Sequence, residues 1–219
     1  MNMKKIALLA FSAFTISAAQ AQEFGYGVKA GANYTTVEGK DVPSSYGYKL
    51  GMHAGLIGSI GISDMVSVNP EIMYSGKGYD RGGADIDLGN GQYQSDYKQI
   101  LNYIDVPVLV NVKAGNLFFE VGPSVHFLLN AKETFEEKSK DASGNVTSER
   151  SSERKNKDAF TETDFGYAAG LGYRADNGLG IGLRFNGGLK SILETPSEQK
   201  PKFHNGAFQL SLSYMLSGK

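Results

Sequence analysis

Residues 102–130 read NYIDVPVLVNVKAGNLFFEVGPSVHFLLN, two alternating limbs around a tight turn. In the first limb Ile104, Val106, Val108, Val110 and Val112 form an apolar row, while Asp105, Asn111 and Lys113 fall on the other face. This is the period-two pattern of a strand whose faces meet different surroundings. In the second limb Phe119, Val121, Val125, Phe127 and Leu129 alternate with Glu120, Ser124, His126 and Asn130. Ala114-Gly115-Asn116 closes the hairpin.

Outward from the hairpin, the N-terminus sets the compartment. Lys4 and Lys5, an uncharged apolar run from Ile6 to Ile16, and Ala19-Gln20-Ala21 have the layout of a secretory signal peptide over residues 1–21. The run is too short to span a membrane, so the mature domain is expected to cover residues 22–219. Gln at position 22 and the lack of any Cys exclude lipid attachment to an N-terminal Cys, disulfides and thiolate metal sites. Removing Lys4 and Lys5 from 22 basic residues against 23 acidic ones leaves a net charge of about −3, which does not favour nucleic acid. Twenty-eight Gly, 12 Tyr and 12 Phe with only six Pro suit a closely curved sheet. No later apolar run is long enough for a spanning helix, so insertion in a membrane requires a closed barrel.

In chain order, strands are expected at 24–34, 49–60 and 66–77, then the two limbs of the hairpin, then at 165–174, 179–190 and 208–216. Pro70, Pro107 and Pro123 mark expected bulges. Short turns fall at 62–64, 114–116 and 176–178; longer connections fall at 36–46, 78–97, 131–160 and 193–202. The stretch 131–160 is rich in charges of both signs and is expected to be solvated, with any strand extensions meeting at Ser143-Gly144-Asn145. Eight strands with connections that alternate long and short describe an all-β, eight-stranded antiparallel up-and-down transmembrane barrel, with its turns in the periplasm and its loops outside the cell. A lipocalin-like barrel alternates equally well with the opposite polarity. Charges flanked by glycine, as in Gly27-Val28-Lys29 and Gly182-Leu183-Arg184, favour a narrow polar lumen. Phe24, Tyr26, Tyr34, Tyr48, Tyr74, Tyr103, Phe165, Tyr173 and Tyr214 near strand ends suit two interfacial girdles.

YIDVPVLV at 103–110, GPSVHFLL at 122–129 and YGVKAGANYT at 26–35 resemble the porin-like or PorT-like outer-membrane β-barrel domain common in Bacteroidetes, Gram-negative bacteria. The resemblance covers the mature chain and implies an outer-membrane barrel of eight strands. It does not imply a pore. The C-terminus departs from the terminal aromatic common in such barrels, so Tyr214 would take that part.

The polar faces collect Lys29, Lys49, His53, Glu71, Lys77, Asp105, Lys113, Glu120, His126, Arg174, Arg184 and Lys190. An eight-stranded barrel has room only for side chains, so these are expected to pair as a lumenal charge network centred on Lys29, His53, Glu71, Asp105, Lys113, Glu120, His126 and Arg184. A catalytic alternative places Ser124, His126, Glu120 and Asp105 in a lipid-ester hydrolase, but residues two apart on a strand lie ~6.6 Å apart and point in parallel. His53, His126 and His204 lie on different strands, and the acidic stretch 78–97 lacks calcium-loop spacing, so neither metal nor cofactor is expected. The expected function is therefore non-enzymatic. The barrel would sit among outer-membrane lipids and anchor the envelope or present 78–97 and 131–160 to an extracellular protein or glycan. The alternatives are a narrow diffusion channel and a lipid-modifying enzyme.

Overall fold

Alternation carries the chain once around a ring. The computed structural model describes residues 24–194 and 202–217; the expected signal peptide and the middle of the 193–202 connection lie outside these residues. The strands are β1 (Phe24–Glu38), β2 (Lys49–Gly61), β3 (Val66–Asp80), β4 (Asp85–Asp87), β5 (Gly91–Ala114), β6 (Leu117–Asp141), β7 (Val146–Lys155), β8 (Thr163–Arg174), β9 (Leu179–Gly188) and β10 (His204–Ser217). Antiparallel pairing runs β1–β2–β3–β5–β6–β8–β9–β10. The ring closes where β10 returns to β1, from Gly25↔Ser217 to Glu38↔His204. Closure leaves no row of unpaired N–H groups facing lipid. The short turns, with Gly115 (φ 62°) and Gly178 (φ 88°) in the left-handed region, share one end with the start of β1 and the end of β10.

The polarity of the two faces settles which barrel this is. Inside lie Glu71 (2% exposed), Lys77 (1%) and His53 (2%); outside lie Leu50 (73%), Met52 (69%) and Leu56 (63%). A barrel with a charged interior and an apolar exterior is built for lipid, the reverse of a lipocalin. The outward aromatics form two belts. One contains Tyr34, Phe185 and Phe208, with Tyr34 stacked on Tyr48 at 4.4 Å. The other contains Tyr26, Tyr173 and Tyr214. Tyr103, expected in a belt, is instead fully buried in the interior, because it shares the parity of Asp105.

Two further expectations are corrected. No register shift occurs at Pro70, Pro107 or Pro123. Each proline interrupts the ladder on one side only, Pro70 toward β2, Pro107 toward β3 and Pro123 toward β5, and stays in register with the strand on its other side. Successive N–H groups of a strand point to alternate neighbours, so one missing donor opens the ladder on one side only, over two residue pairs. The shift lies at Leu129, where Asn102↔Asn130 is followed by Tyr103↔Leu128. The stretch 78–97, expected as a loop, is largely strand, whereas 131–160 follows the expectation of solvated strand extensions meeting at Ser143-Gly144-Asn145. β5 and β6 stay paired out to Gly91↔Asp141, β4 adds to β5, and β7 adds to β6. Gly and Asp content made 78–97 read as loop, yet its backbone continues the ladder, and along β6 and β7 charges are compensated across strands.

Candidate functional site

The interior is layered along the barrel axis. Nearest the short turns, Glu71 of β3 receives three charged hydrogen bonds: Lys29 Nζ on Oε1 at 2.7 Å, and the Arg184 fork on both oxygens at 2.8 Å. Arg184 Nε also donates to Glu120 Oε1 at 2.7 Å. Two cations thus face two carboxylates, and the group is neutral as a unit, the condition under which charge survives burial. Gly170 makes room for it, since a Cβ there would sit 3.1 Å from both Glu120 Oε1 and Arg184 Cβ. The space left among these side chains, with Phe118 and Ile57 also lining it, is about 10 Å3. That is room for about one water.

Above it, on the side of the long connections, lie two further groups. His53 bridges Asn33 Oδ1 at 2.6 Å and Ser211 Oγ at 2.8 Å, and Gln209 donates to the same Asn33 oxygen at 3.0 Å. Lys77 Nζ pairs with Asp105 at 3.0 Å and lies 5.0 Å from the Tyr103 ring centroid. His126 Nδ1 lies 2.7 Å from Asp105 Oδ1 and 3.1 Å from Lys77 Nζ, so the three side chains form one contact group.

An apolar cap closes the same end. Val37, Phe160, Ile192 and Phe203, from the connecting segments and strand tips, pack on Tyr79, Leu101, Tyr103, Leu128 and Ala131 of the wall, with Val42, Tyr46 and Leu193 against them. Beyond the cap, the upper halves of β5 and β6 project with β4 and β7 as a four-stranded sheet. Counting Gly91 to Tyr97, beyond the last rung to β3 at Asp80↔Lys98, at ~3.3 Å per residue, it reaches ~20 Å along the strand. Lys132–Glu153 (2.8 Å) and Lys138–Glu149 (3.1 Å) tie β6 to β7, and the Tyr97 and Phe135 rings meet at 4.2 Å, tilted by 31°. At the tip, Asp141 accepts from the Ser143 and Asn145 backbones and the Asn145 side chain; the Asn145 amide does most to hold its carboxyl below the usual value. A groove of about 460 Å3 beside this sheet carries Asp85, Asp96, Glu136, Glu137 and Glu149 against Lys138. All ten residues of β7 are exposed.

Of the residues singled out from sequence, Lys29, Glu71, Glu120 and Arg184 meet in one group, Asp105 and His126 in another with Lys77, and His53 in the third. Lys113 and Lys190 are exposed at opposite ends of the wall. Ser124 is buried, but its Oγ makes no hydrogen bond, so no serine–histidine pair forms. Sequence reasoning missed the cap and the inward Ile57, Met73, Leu109 and Phe118. On β5 the signal was present, since Leu101, Tyr103 and Leu109 share the odd parity of Asp105.

Comparison with known proteins gives a consistent architecture. A family model described as the outer membrane protein beta-barrel domain matches residues 19–194. No curated protein matches the chain in sequence. Among solved structures, Ail, the attachment invasion locus protein of Yersinia pestis, is 13% identical with a TM-score of 0.41, over 89% of this chain and 99% of that one. Neisserial surface protein A is 11% identical with a TM-score of 0.42, over 86% and 96%. The outer membrane protease OmpT from Escherichia coli is 9% identical with a TM-score of 0.37, over 91% and 99%. The matches thus include an enzyme, which overturns the expectation of a chain that is not one; that expectation lapses.

Proposed function

Because the chain belongs to the outer membrane protein beta-barrel domain family and resides in the outer membrane, we propose that it is a closed barrel whose work is to hold the β4–β7 sheet outside the cell and present it to a partner. One observation carries this reading. β5 and β6 continue far beyond the apolar exterior and recruit β7, which no strand of the ring other than β6 pairs. A ladder of that length has no use in closing the barrel. The ion-paired layer and the apolar cap support a lumen that does not conduct. The resemblance to PorT-like barrels of Bacteroidetes fits the same reading, with residues 1–21 removed as a signal peptide.

The acidic groove beside the sheet sets the sign of the partner, favouring a basic protein segment over an anionic glycan. The test is a pair of refolded proteins in nanodiscs, full length and with 133–153 replaced by a short turn, titrated with a lysine-rich peptide and with a sulfated oligosaccharide. Peptide binding by the full chain alone, weakening as salt rises, is expected. Equal binding by both proteins would overturn the reading, and so would reproducible unit conductance steps across a planar bilayer.

A further inference from the structure

Arg174, unlike the three buried lumenal cations of the described residues, holds no carboxylate. Lys29, Lys77 and Arg184 each hold a carboxylate. Arg174, at the short-turn end of β8, has its guanidinium 5.0 Å from the Phe118 ring centroid, and its Nε is buried without a hydrogen-bond partner. Its remaining hydrogen bonds are main-chain ones, with Asn116. The nearest acids in the interior, Glu71 and Glu120, are already engaged by Arg184 and Lys29. A guanidinium has five donors in a planar fork matched to a carboxylate, and leaving the buried Nε–H unused is costly.

Arg174 also lines an open bowl of about 430 Å3 at the short-turn end, within the size range of small-ligand sites. Half-buried Arg174 and buried Ser67 share its lining with exposed Lys113, Asp64, Asp176 and Ser63. Short turns of outer-membrane barrels face the periplasm. We propose that the bowl binds a small zwitterion from the periplasm, a free amino acid or a dipeptide, with its carboxylate on Arg174 and Lys113 and its ammonium toward Asp64 and Asp176. The bowl carries fixed charges of both signs, which suit a ligand bearing both and which a simple anion would not exploit.

The test uses the full refolded chain in detergent, with the Arg174 Nε–Hε resonance as reporter. Alanine and alanyl-alanine are titrated as the two sources, with alanyl-alanine amide and acetate as controls. The free-acid dipeptide or the amino acid should shift the resonance saturably, and whichever binds more tightly names the source. The amide should bind about ten- to a hundredfold more weakly, the loss expected for a charge-assisted pair. Acetate should also bind weakly, for want of the ammonium. For the Arg174 variants, which lack that resonance, binding is read by titration calorimetry: R174Q should lose binding by a similar factor and R174K should recover part of it, as a point charge without the fork. If R174Q does not fold, K113Q, at an exposed position, carries the same expectation with a smaller loss. An unchanged Arg174 resonance, or an amide that binds as well as the acid, overturns the proposal.

Discussion

Glu71 is the residue on which the lower charge layer depends, and Glu71→Leu tests that dependence. The carboxylate is 2% exposed and accepts from Lys29 at 2.7 Å and from both Arg184 nitrogens at 2.8 Å. Leucine fills nearly the same volume, so the change removes charge and little packing. It leaves Lys29 and Arg184 sharing Glu120 alone, one net positive charge in an enclosed space of about 10 Å3. Breaking a buried pair in this way costs about 3–5 kcal/mol. The companion change Lys29→Met in the same chain leaves Arg184 and Glu120 as a neutral pair and should restore the barrel to within about 1 kcal/mol of the parent, a coupling of about 2 kcal/mol or more. The chain has no Trp, so urea unfolding in lipid vesicles is followed by circular dichroism and by the mobility of unheated samples on gels. A single variant that loses less than about 1 kcal/mol, or a double variant no more stable than the single, would refute the claim that charge balance holds this layer.

The cap and the tip of the outer sheet make separate predictions. Leu101→Ala removes a fully buried side chain from the cap and should cost about 2–5 kcal/mol in the same unfolding assay. Tyr103→Phe loses the hydrogen bond donated by Asn205 at 3.2 Å and should cost about 1 kcal/mol. Gly144 has φ 83°, and a methyl group on its Cα would meet nothing within 4 Å, so Gly144→Ala strains the turn without a clash; amide exchange should quicken at 141–147 and not in the barrel. Asp141 titrates below its unfolded value of 3.8, so its bonds to Ser143 and Asn145 are fully present above that pH and are lost as pH falls through the lower folded value. The Ser143 and Asn145 amide signals should report that loss, and Asp141→Ala should remove the pH dependence.

The parts of the structure legible in the sequence are those governed by a single local rule. Alternation located the eight ring strands, and Asp176-Asn177-Gly178 located a turn in which Leu179 N–H bonds to Asn177 Oδ1 at 3.1 Å. The polar faces gave Lys29, Glu71, Glu120 and Arg184 as neighbours in kind, but which acid meets which base depends on the stagger of the ring. That stagger brings together Arg184 and Glu71, 113 positions apart in sequence. The turn of the outer sheet at 143–145 was legible, but its pairing was hidden for a different reason. Glu133, Glu137 and Lys138 look solvated when read alone; only the antiparallel register sets them opposite Arg154, Arg150 and Glu149. The cap was hidden because its residues come from separate connections, with no periodicity to join them.

The bulge at Leu129 joins these two halves. Below it β6 pairs with β8, from Leu117↔Tyr173 to Phe127↔Thr163; above it β6 pairs with β7, from Lys132↔Lys155 onward. A strand that changes neighbours must bend away from the first to admit the second, and an extra residue supplies that bend. Leu128 and Ala131, either side of the bulge, both face the cap, which two residues three apart on a regular strand could not do. Deleting Leu129 tests the bend alone. Every residue of β6 keeps its partner on β5, because the pairs 103↔128 and 102↔130 become adjacent rungs of one register. Leu129 is exposed on the apolar exterior, so no interior packing is lost. The shortened chain should form the barrel with stability within about 1 kcal/mol of the parent, as an exposed change does. Exchange should quicken across β7 and its rungs to β6, since a straightened β6 no longer makes room for β7 beside β8. Unchanged protection in β7 would mean that the ladder needs no bend and that the outer sheet is set by its own cross-strand charges.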